Sequence, residues 1–468
     1  MRRISSILFL LLLSIGLFAQ STGFDAAIFS EEDITGSSRY VGLGGAMAAL
    51  GGDVSAVKDN PAALGVFRRS EVSFSFDVRV NKPMQWSVPA ASYVGNFHKN
   101  RTHGLIEHSL IISYERLSNF NNSFEFSASG LNSSQTDVMA ALSDGYTFDE
   151  VRNSAGLAWL AYAGFDGFLT DTLPGQPTKW QSLEGGNVDA HVHVEEMGKL
   201  DDYSFGWGCN ISNRFYLGFR TNVRNLDYSK VASYFESFES GHNYTVNSKM
   251  WASGVGIGIS AGAIWRLVDM LRVSAALQSP VVSSVSYSYE GGIVAHTDTT
   301  YNQYYFFNDG NVNAERLVMP WRCTFGAAVQ FGRSGLLSVE YDGAFRKEVG
   351  FRPQHMLKVG AEWAPTNKFF IDFGYAAKLY GKYAYGQSAF MPDYGSPRLD
   401  TDQREGGMKH FASCGLSYRS ARGVFGLAYQ YSTQHFLVWG HELQQEPMGE
   451  YDRTAHKLVF TFGLRYRR

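Results

Sequence analysis

The chain has 468 residues, with 41 Lys plus Arg against 44 Asp plus Glu and a formal charge of −3. That balance argues against a nucleic-acid partner. Aromatic residues make up 15% and charged residues only 18%, with 49 glycines, a composition that fits a large membrane barrel better than a soluble enzyme.

At the N-terminus Arg2 and Arg3 precede an apolar run from Ile7 to Phe18 and then Ala19. We read residues 1–19 as a secretory signal, too short to anchor in a bilayer. No cysteine lies near the expected cleavage site, which excludes a lipoprotein anchor. Beyond it there is no run of about 18 apolar residues, so no transmembrane helix is expected.

Residues 20–68 read as a compact, irregular unit. It begins with an apolar stretch that includes Phe24, Ala26, Ala27, Ile28 and Phe29. A glycine-rich segment with Gly42, Gly44 and Gly45 follows, then Gly51-Gly52-Asp53, and the unit closes on Asn60-Pro61-Ala62. Glycines and an Asn-Pro break suit backbone that packs tightly inside something else.

The first clean strand is 71–80, where Val72, Phe74, Phe76, Val78 and Val80 alternate with Glu71, Ser73, Ser75, Asp77 and Arg79. One apolar and one polar face is the pattern of a barrel wall between lipid and a polar lumen. Similar segments fall near 88–96, 106–115, 203–211, 215–228, 250–264 and 271–289. They continue near 321–331, 336–345, 355–363, 369–379, 411–419, 424–432 and 457–466, fourteen in all. Short turns at 212–213, 268–270, 332–334, 364–368 and 420–423 alternate with long connections at 229–249, 290–320, 346–354, 380–410 and 433–456. That alternation is expected of an outer-membrane barrel with both chain ends in the periplasm. The wall is expected to occupy 69–468.

The longest connection, 116–202, reads as an outer loop with one or two short helices. Thr147-Phe148-Asp149-Glu150 has capping-box spacing before Val151, Leu157, Trp159, Leu160, Phe165 and Phe168. Those side chains either collect an apolar ligand or pack against the barrel mouth. Phe24, Ile28 and Phe29 likewise either line a ligand pocket or pack within the hatch.

Other patterns carry less. Gly258-x-Ser260-x-Gly262 matches a nucleophile elbow but lies inside a continuous alternating strand rather than a strand-to-helix turn. Gly42-x-Gly44 follows no strand, so it is not a dinucleotide loop. Asp189, His191, His193 and Glu195 share one extended face, which we read as a solvated edge rather than a metal site. Cys209, Cys323 and Cys414 fall on apolar strand faces and read as small lipid-facing residues. No cofactor, metal or catalytic residue is expected.

The order of Gly-x-Gly-Gly-Ala, Asp53, Asn60-Pro61-Ala62 and first strand resembles the hatch of the FadL/TodX family of outer-membrane transport proteins, in the branch common in Bacteroidota. The resemblance continues through Leu271-Arg272-Val273, Gln278-Ser279-Pro280, Met319-Pro320-Trp321-Arg322, Leu357 to Trp363 and the final strand. It implies an all-β fold, an antiparallel transmembrane barrel of about 14 strands plugged by an N-terminal hatch. Gly42, Gly44, Gly45, Asp53, Asn60, Pro61 and Ala62 would be hatch and gating residues. The implied function is plug-gated, lateral uptake of hydrophobic compounds such as long-chain fatty acids, and not catalysis. The alternative is a barrel scaffold or shuttle of a secretion or surface-assembly system. Expected partners are a hydrophobic small molecule, outer-membrane lipid and the barrel-assembly machinery of a Gram-negative bacterium.

Overall fold

The computed structural model describes residues 28–80, 84–99, 101, 103–153, 159–297, 300–345, 353–380, 403–441, 444 and 446–466. The signal segment, Phe24 and Leu157 lie outside these residues. None of the helices among the described residues is long and apolar enough to cross a membrane.

The wall begins with β1 (Ser70–Arg79), β2 (Gln85–His98), β3 (Leu105–Asn119) and β4 (Asn122–Leu131). A rim segment follows, with helices at Gln135–Ser143, Phe148–Asn153 and Trp159–Asp166 and a small hairpin of β5 (Thr170–Leu173) and β6 (Gln176–Ser182). The wall resumes with β7 (Val188–Ile211), β8 (Phe215–Phe238), β9 (Asn243–Arg266), β10 (Leu271–Gln278), β11 (Val282–Thr297) and β12 (Thr300–Val318). It is completed by β13 (Trp321–Phe331), β14 (Gly335–Phe345), β15 (Gln354–Trp363), β16 (Phe369–Tyr380), β17 (Gln403–Arg419), β18 (Gly423–Trp439) and β19 (Gly449–Tyr466).

Three pairs of these strands are single staves, each broken once: β3 with β4, β10 with β11, and β12 with β13. Counted so, fourteen antiparallel staves form the sheet, and β1 closes it on β19 from Ser70↔Tyr466 to Arg79↔Lys457. Two of the breaks contain proline, Pro280 and Pro320, which has no N–H to give a ladder. At the third, Phe120-Asn121, the facing Gly198 has a φ of +128° and its N–H donates to the Asn121 side chain (2.8 Å).

All fourteen alternating segments are staves, but several continue beyond the expected ends. Residues 229–249 are not a loop: they are the ends of β8 and β9 around a turn at 239–242. Residues 290–320 are mostly β11 and β12, and 188–202, 403–410, 433–439 and 449–456 are strand as well. The physical reason is on the outward face. In β7, Tyr203, Phe205 and Trp207 are exposed and apolar, whereas Asp189, His191, His193 and Glu195 take the same register further along. Beyond the lipid band the outward face is polar, so the apolar alternation fades while the ladder continues.

Residues 28–67 lie inside this wall, and their seat is made of glycine. Ser37 caps a short helix, α1 (Ser38–Gly42), by accepting from the Tyr40 N–H. Immediately after it the backbone turns at Gly44 (φ +62°), where an added Cβ would stand 2.9 Å from the Tyr375 nitrogen. The wall answers with its own glycines. A Cβ on Gly374 would fall on the Gly44 nitrogen, one on Gly360 would reach the Leu43 carbonyl at 2.6 Å, and one on Gly218 would fall on Pro61. Tyr40, Val41, Leu43, Met47 and Leu64 fill the core between hatch and wall.

Gly374→Val is therefore expected to unseat the hatch without opening the sheet. The variant should keep the heat-modifiable gel migration of a closed barrel while its ion current in planar bilayers rises severalfold. Unchanged conductance in a folded variant would show that the hatch does not depend on this contact.

Candidate functional site

Two features converge on one side of the lumen: an unpaired strand edge and the hatch segment that covers it. The β2–β3 ladder runs from His98↔Glu107 to Ala90↔Glu115 and stops there. The next β2 residue is Pro89, which has no N–H to donate. Among the described residues, β2 from Gln85 to Ser87 pairs only with β1, and β3–β4 from Arg116 to Leu131 pairs only with β7. The wall thus has a local edge between β2 and β4.

The hatch supplies that edge with partners. The Asp33 N–H donates to the Leu117 carbonyl (3.0 Å) and the Thr35 hydroxyl to the Arg116 carbonyl. From β1, Arg79 donates to the Asn119 carbonyl (3.3 Å) and pairs with Asp33 (3.4 Å). Beside this edge is an apolar compartment of Phe29, Leu117, Leu226, Tyr228, Met250, Val285 and Met319. Phe29 is fully buried in it, 5.2 Å from the Tyr228 ring and 6.3 Å from Phe120.

The hatch is held by three polar latches, and the first is an acidic run that sequence reasoning passed over. Glu32 pairs with Arg224 (2.7 Å) and Arg322 (3.0 Å), Asp33 with Lys409 (2.7 Å), and Glu31 accepts from Tyr380 (2.9 Å) near Lys378 and Lys409 (both 3.5 Å). In the second latch Lys358 pairs with Glu340 (2.7 Å) and Asp59 (3.3 Å), while Glu340 accepts from the Ala48 N–H (2.7 Å). In the third Arg39 and Arg419 share Glu362 at 2.8 and 2.6 Å. Charges so buried are tolerable only when paired, and removing one partner leaves the other uncompensated. Burial by itself would push the carboxyls of the first latch up. It is outweighed: Lys378 and Lys409 hold Glu31 at about 2, and Arg322 with Arg224 holds Glu32 at about 2, from an ordinary 4.5. Asp33 is held well below its usual range by Lys409 and Arg79 against the same burial.

The residues expected from the hatch pattern all sit at contacts. Gly42 lies where a Cβ would meet Asp372 at 3.1 Å, and Gly45 has a φ of +79° beneath the Tyr40 hydroxyl. Asp53 accepts from the Ser37 hydroxyl (2.8 Å) and the Ser55 N–H (3.0 Å), joining the α1 cap to the turn at Ser55–Val57. Asn60, fully buried, accepts from the Ala62 N–H (3.0 Å) and donates to the Ala48 (3.0 Å) and Ala263 (3.3 Å) carbonyls. Pro61 then starts the turn Pro61–Val66 at a position whose N–H would lack a partner. On the short-turn side of the hatch a polar cavity of about 160 Å³ is lined by Ser37, Arg39, Asp53, Glu71, Arg419 and Arg465, among others.

The outer-loop residues are placed differently from a collecting surface. Trp159 and Leu160 are buried against Tyr244, Val246 and Ile293, and Phe165 packs edge-on to Trp180. Of the ligand candidates among the described residues of this loop, only Phe168 is exposed, at 47%. Among its described residues the loop has three helical segments rather than one or two. The first is capped by a Ser134–Asp137 box and fastened by Glu236, which accepts from Gln135 N–H (3.0 Å), Tyr234 (2.7 Å) and Tyr244 (2.7 Å).

The remaining patterns fall into the wall. Ser260 lies mid-strand in β9. His191 faces Glu125 (3.3 Å) and His193 faces Glu195 (3.3 Å), as cross-strand or same-strand pairs, and among the described residues no metal-holding group of His, Cys, Asp or Glu forms. Cys414 is exposed and Cys323 half-buried. Cys209 departs from the lipid-facing reading: it keeps the register of Trp207 but is only 3% exposed, a small side chain shielded between larger neighbours.

No protein-family model and no curated protein matches the chain. Solved structures do. The CymD monoaromatic hydrocarbon channel matches with a TM-score of 0.53 at 10% identity, over 93% of this chain and 98% of that one. A Pseudomonas aeruginosa FadL homologue gives 0.50 at 13% identity, over 93% and 99%. A TodX mutant described as a monoaromatic hydrocarbon channel gives 0.51 at 11%, over 92% and 99%. The chain has the plugged-barrel fold of the FadL/TodX channels.

Two outcomes are expected. Asn60→Ala strands the Ala62 N–H and two buried carbonyls, at a cost of about 1–3 kcal/mol per unsatisfied group. Amide exchange across residues 46–66 should accelerate while strand protection stays, and uniform slowing or no change would contradict the assigned role. Because Glu31 and Glu32 fall from 4.5 to about 2 on docking, their contribution is complete above about pH 4.5 and is lost as pH falls through 2. The share of hatch protection that comes from Glu31 and Glu32, read as the difference from the Glu31→Gln, Glu32→Gln variant, should therefore be flat from pH 7 to 5 and decline between about 4.5 and 2. Glu31 keeps 32% of its side chain exposed, so salt should weaken its share first.

Proposed function

We propose that the protein is an outer-membrane channel for hydrophobic compounds, such as long-chain fatty acids or aromatic hydrocarbons, which enter through the wall under control of the hatch. The observation that carries this reading is the β3 edge, whose carbonyls at Arg116 and Leu117 accept from hatch residues next to an apolar compartment. An acyl chain gains about 0.8 kcal/mol per buried CH₂, so a water-filled pore is an unfavourable path for it and a dry compartment at a wall opening is a favourable one. Moving residues 28–35 would uncover the edge and the compartment together. The short turns and both chain ends then face the periplasm, outer-membrane lipid surrounds the wall, and the barrel-assembly machinery inserts it. In this reading the protein carries out no covalent chemistry.

Liposome uptake tests the proposal. The protein should move labelled oleate or toluene, pass little sugar, and carry little steady ion current; large currents with no movement of either hydrophobic compound would make it a porin. Pro89→Val tests the lateral part. It restores a ladder donor where β2–β3 pairing stops, so it should extend the pairing and reduce uptake severalfold in a folded barrel. Full uptake with extended pairing would exclude this edge as the route.

A further inference from the structure

The segment from Ile28 to Asp33 has the plan of an amphiphile. Its apolar end, Ile28 and Phe29, is packed in the compartment with Phe120 and Tyr228. Its anionic end, Glu31-Glu32-Asp33, is set among Arg79, Arg224, Arg322, Lys378 and Lys409, contributed by five different strands.

We infer that this segment is a built-in competitor: it occupies a site for an anionic amphiphile, and the ligand's carboxylate opens the hatch by taking the place of the acidic run. The inference rests on the channel reading and adds to it what triggers the gate.

Three observations support it. First, several contacts of the acidic run are loose, and two of its cations are shared with wall carboxylates, Arg322 with Asp342 (3.3 Å) and Arg224 with Asp202 (3.6 Å). Lys378 stands 3.5 Å from Glu31, and its own hydrogen bond is to the Glu32 carbonyl at 3.5 Å. Lys457, in the same wall region, donates to the Ile34 carbonyl (2.6 Å) rather than to a hatch carboxylate. Arg224 is buried, and its Nε makes no hydrogen bond but stands 3.6 Å from the Asp202 carboxylate. An entering anion would therefore exchange for a hatch carboxylate rather than add to it. Second, the apolar compartment and the cationic ring adjoin along one continuous stretch of chain, so a tail entering at Phe120 would bring its head to Arg79 and Lys409. Third, Asp33 is shared between the two functions. Its side chain is held by Lys409 and Arg79, while its N–H caps Leu117 on the open edge. An anion that takes Lys409 and Arg79 therefore also loosens the cover on that edge. An uncharged ligand gains only from the apolar compartment and enters when the acidic run releases by itself. A site that is self-occupied most of the time shows an apparent affinity reduced by its vacant fraction.

The test uses the whole protein in nanodiscs with two probes of equal length, oleate and oleyl alcohol. In the triple variant Glu31→Gln, Glu32→Gln, Asp33→Asn, the ratio of oleate to oleyl-alcohol affinity should rise roughly tenfold, since the competing anion is gone. Lys409→Gln combined with Lys378→Gln should lower the same ratio, and it decides the matter if the triple variant does not assemble. Folding is checked by heat-modifiable migration. If the wild type binds both probes but the ratio is unchanged, or falls in the triple variant, the competitor idea is overturned and the channel reading stands. If the wild type binds neither probe, the channel reading fails and takes this inference with it.

Discussion

A lipid bilayer offers nothing to a backbone N–H or C=O, so every such group at membrane depth has to find its partner within the protein. Closure of β1 on β19 meets that demand for most of the wall. The demand also explains the hatch. Where Pro89 ends the β2–β3 ladder, the carbonyls of Arg116 and Leu117 would be left without partners, and the hatch supplies them from inside. Plug and wall are therefore parts of one hydrogen-bond network, and a shift of the plug changes the wall.

The interior is held by opposite means at its two levels. Against α1 and the Asn60 turn, contact is backbone on backbone, with glycine on both sides and a small apolar core. At Glu31–Asp33, contact is charge on charge. Shape-matched glycine packing loosens all at once, because a small displacement loses every close contact together. Ion pairs of long side chains give way singly, and each released base can find another anion. The first region is suited to staying in place and the second to exchange.

Much of this was legible from the chain. Alternation from Glu71 to Val80 and its thirteen successors defined the staves because lipid demands one apolar face at each. The extensions were not legible, since Asp189, His191, His193 and Glu195 take the outward register where water replaces lipid and the period-2 apolar signal disappears. Glycines 218, 360 and 374 carry no local signal of their role. Their meaning depends on hatch residues more than a hundred positions away in sequence, which no local pattern reports. Glu31-Glu32-Asp33 gives no sign of its role in the sequence because its partners come from β1, β8, β13, β16 and β17. Trp159 and Leu160 illustrate the converse, an apolar cluster whose role as loop core is visible only when its neighbours from β9 and β11 are in place.

The length of the longest unbroken strands has a consequence for where the protein meets its surroundings. β7, β8 and β9 each have 24 residues, so at about 3.3 Å per residue and the usual tilt they rise roughly 60 Å. An apolar band of about 25 Å accounts for less than half of that. The remainder stands as a walled chimney on the side of the long connections, with the Glu236-fastened helices at its lip. A molecule approaching from that side would leave bulk water well above the headgroups and descend along protein.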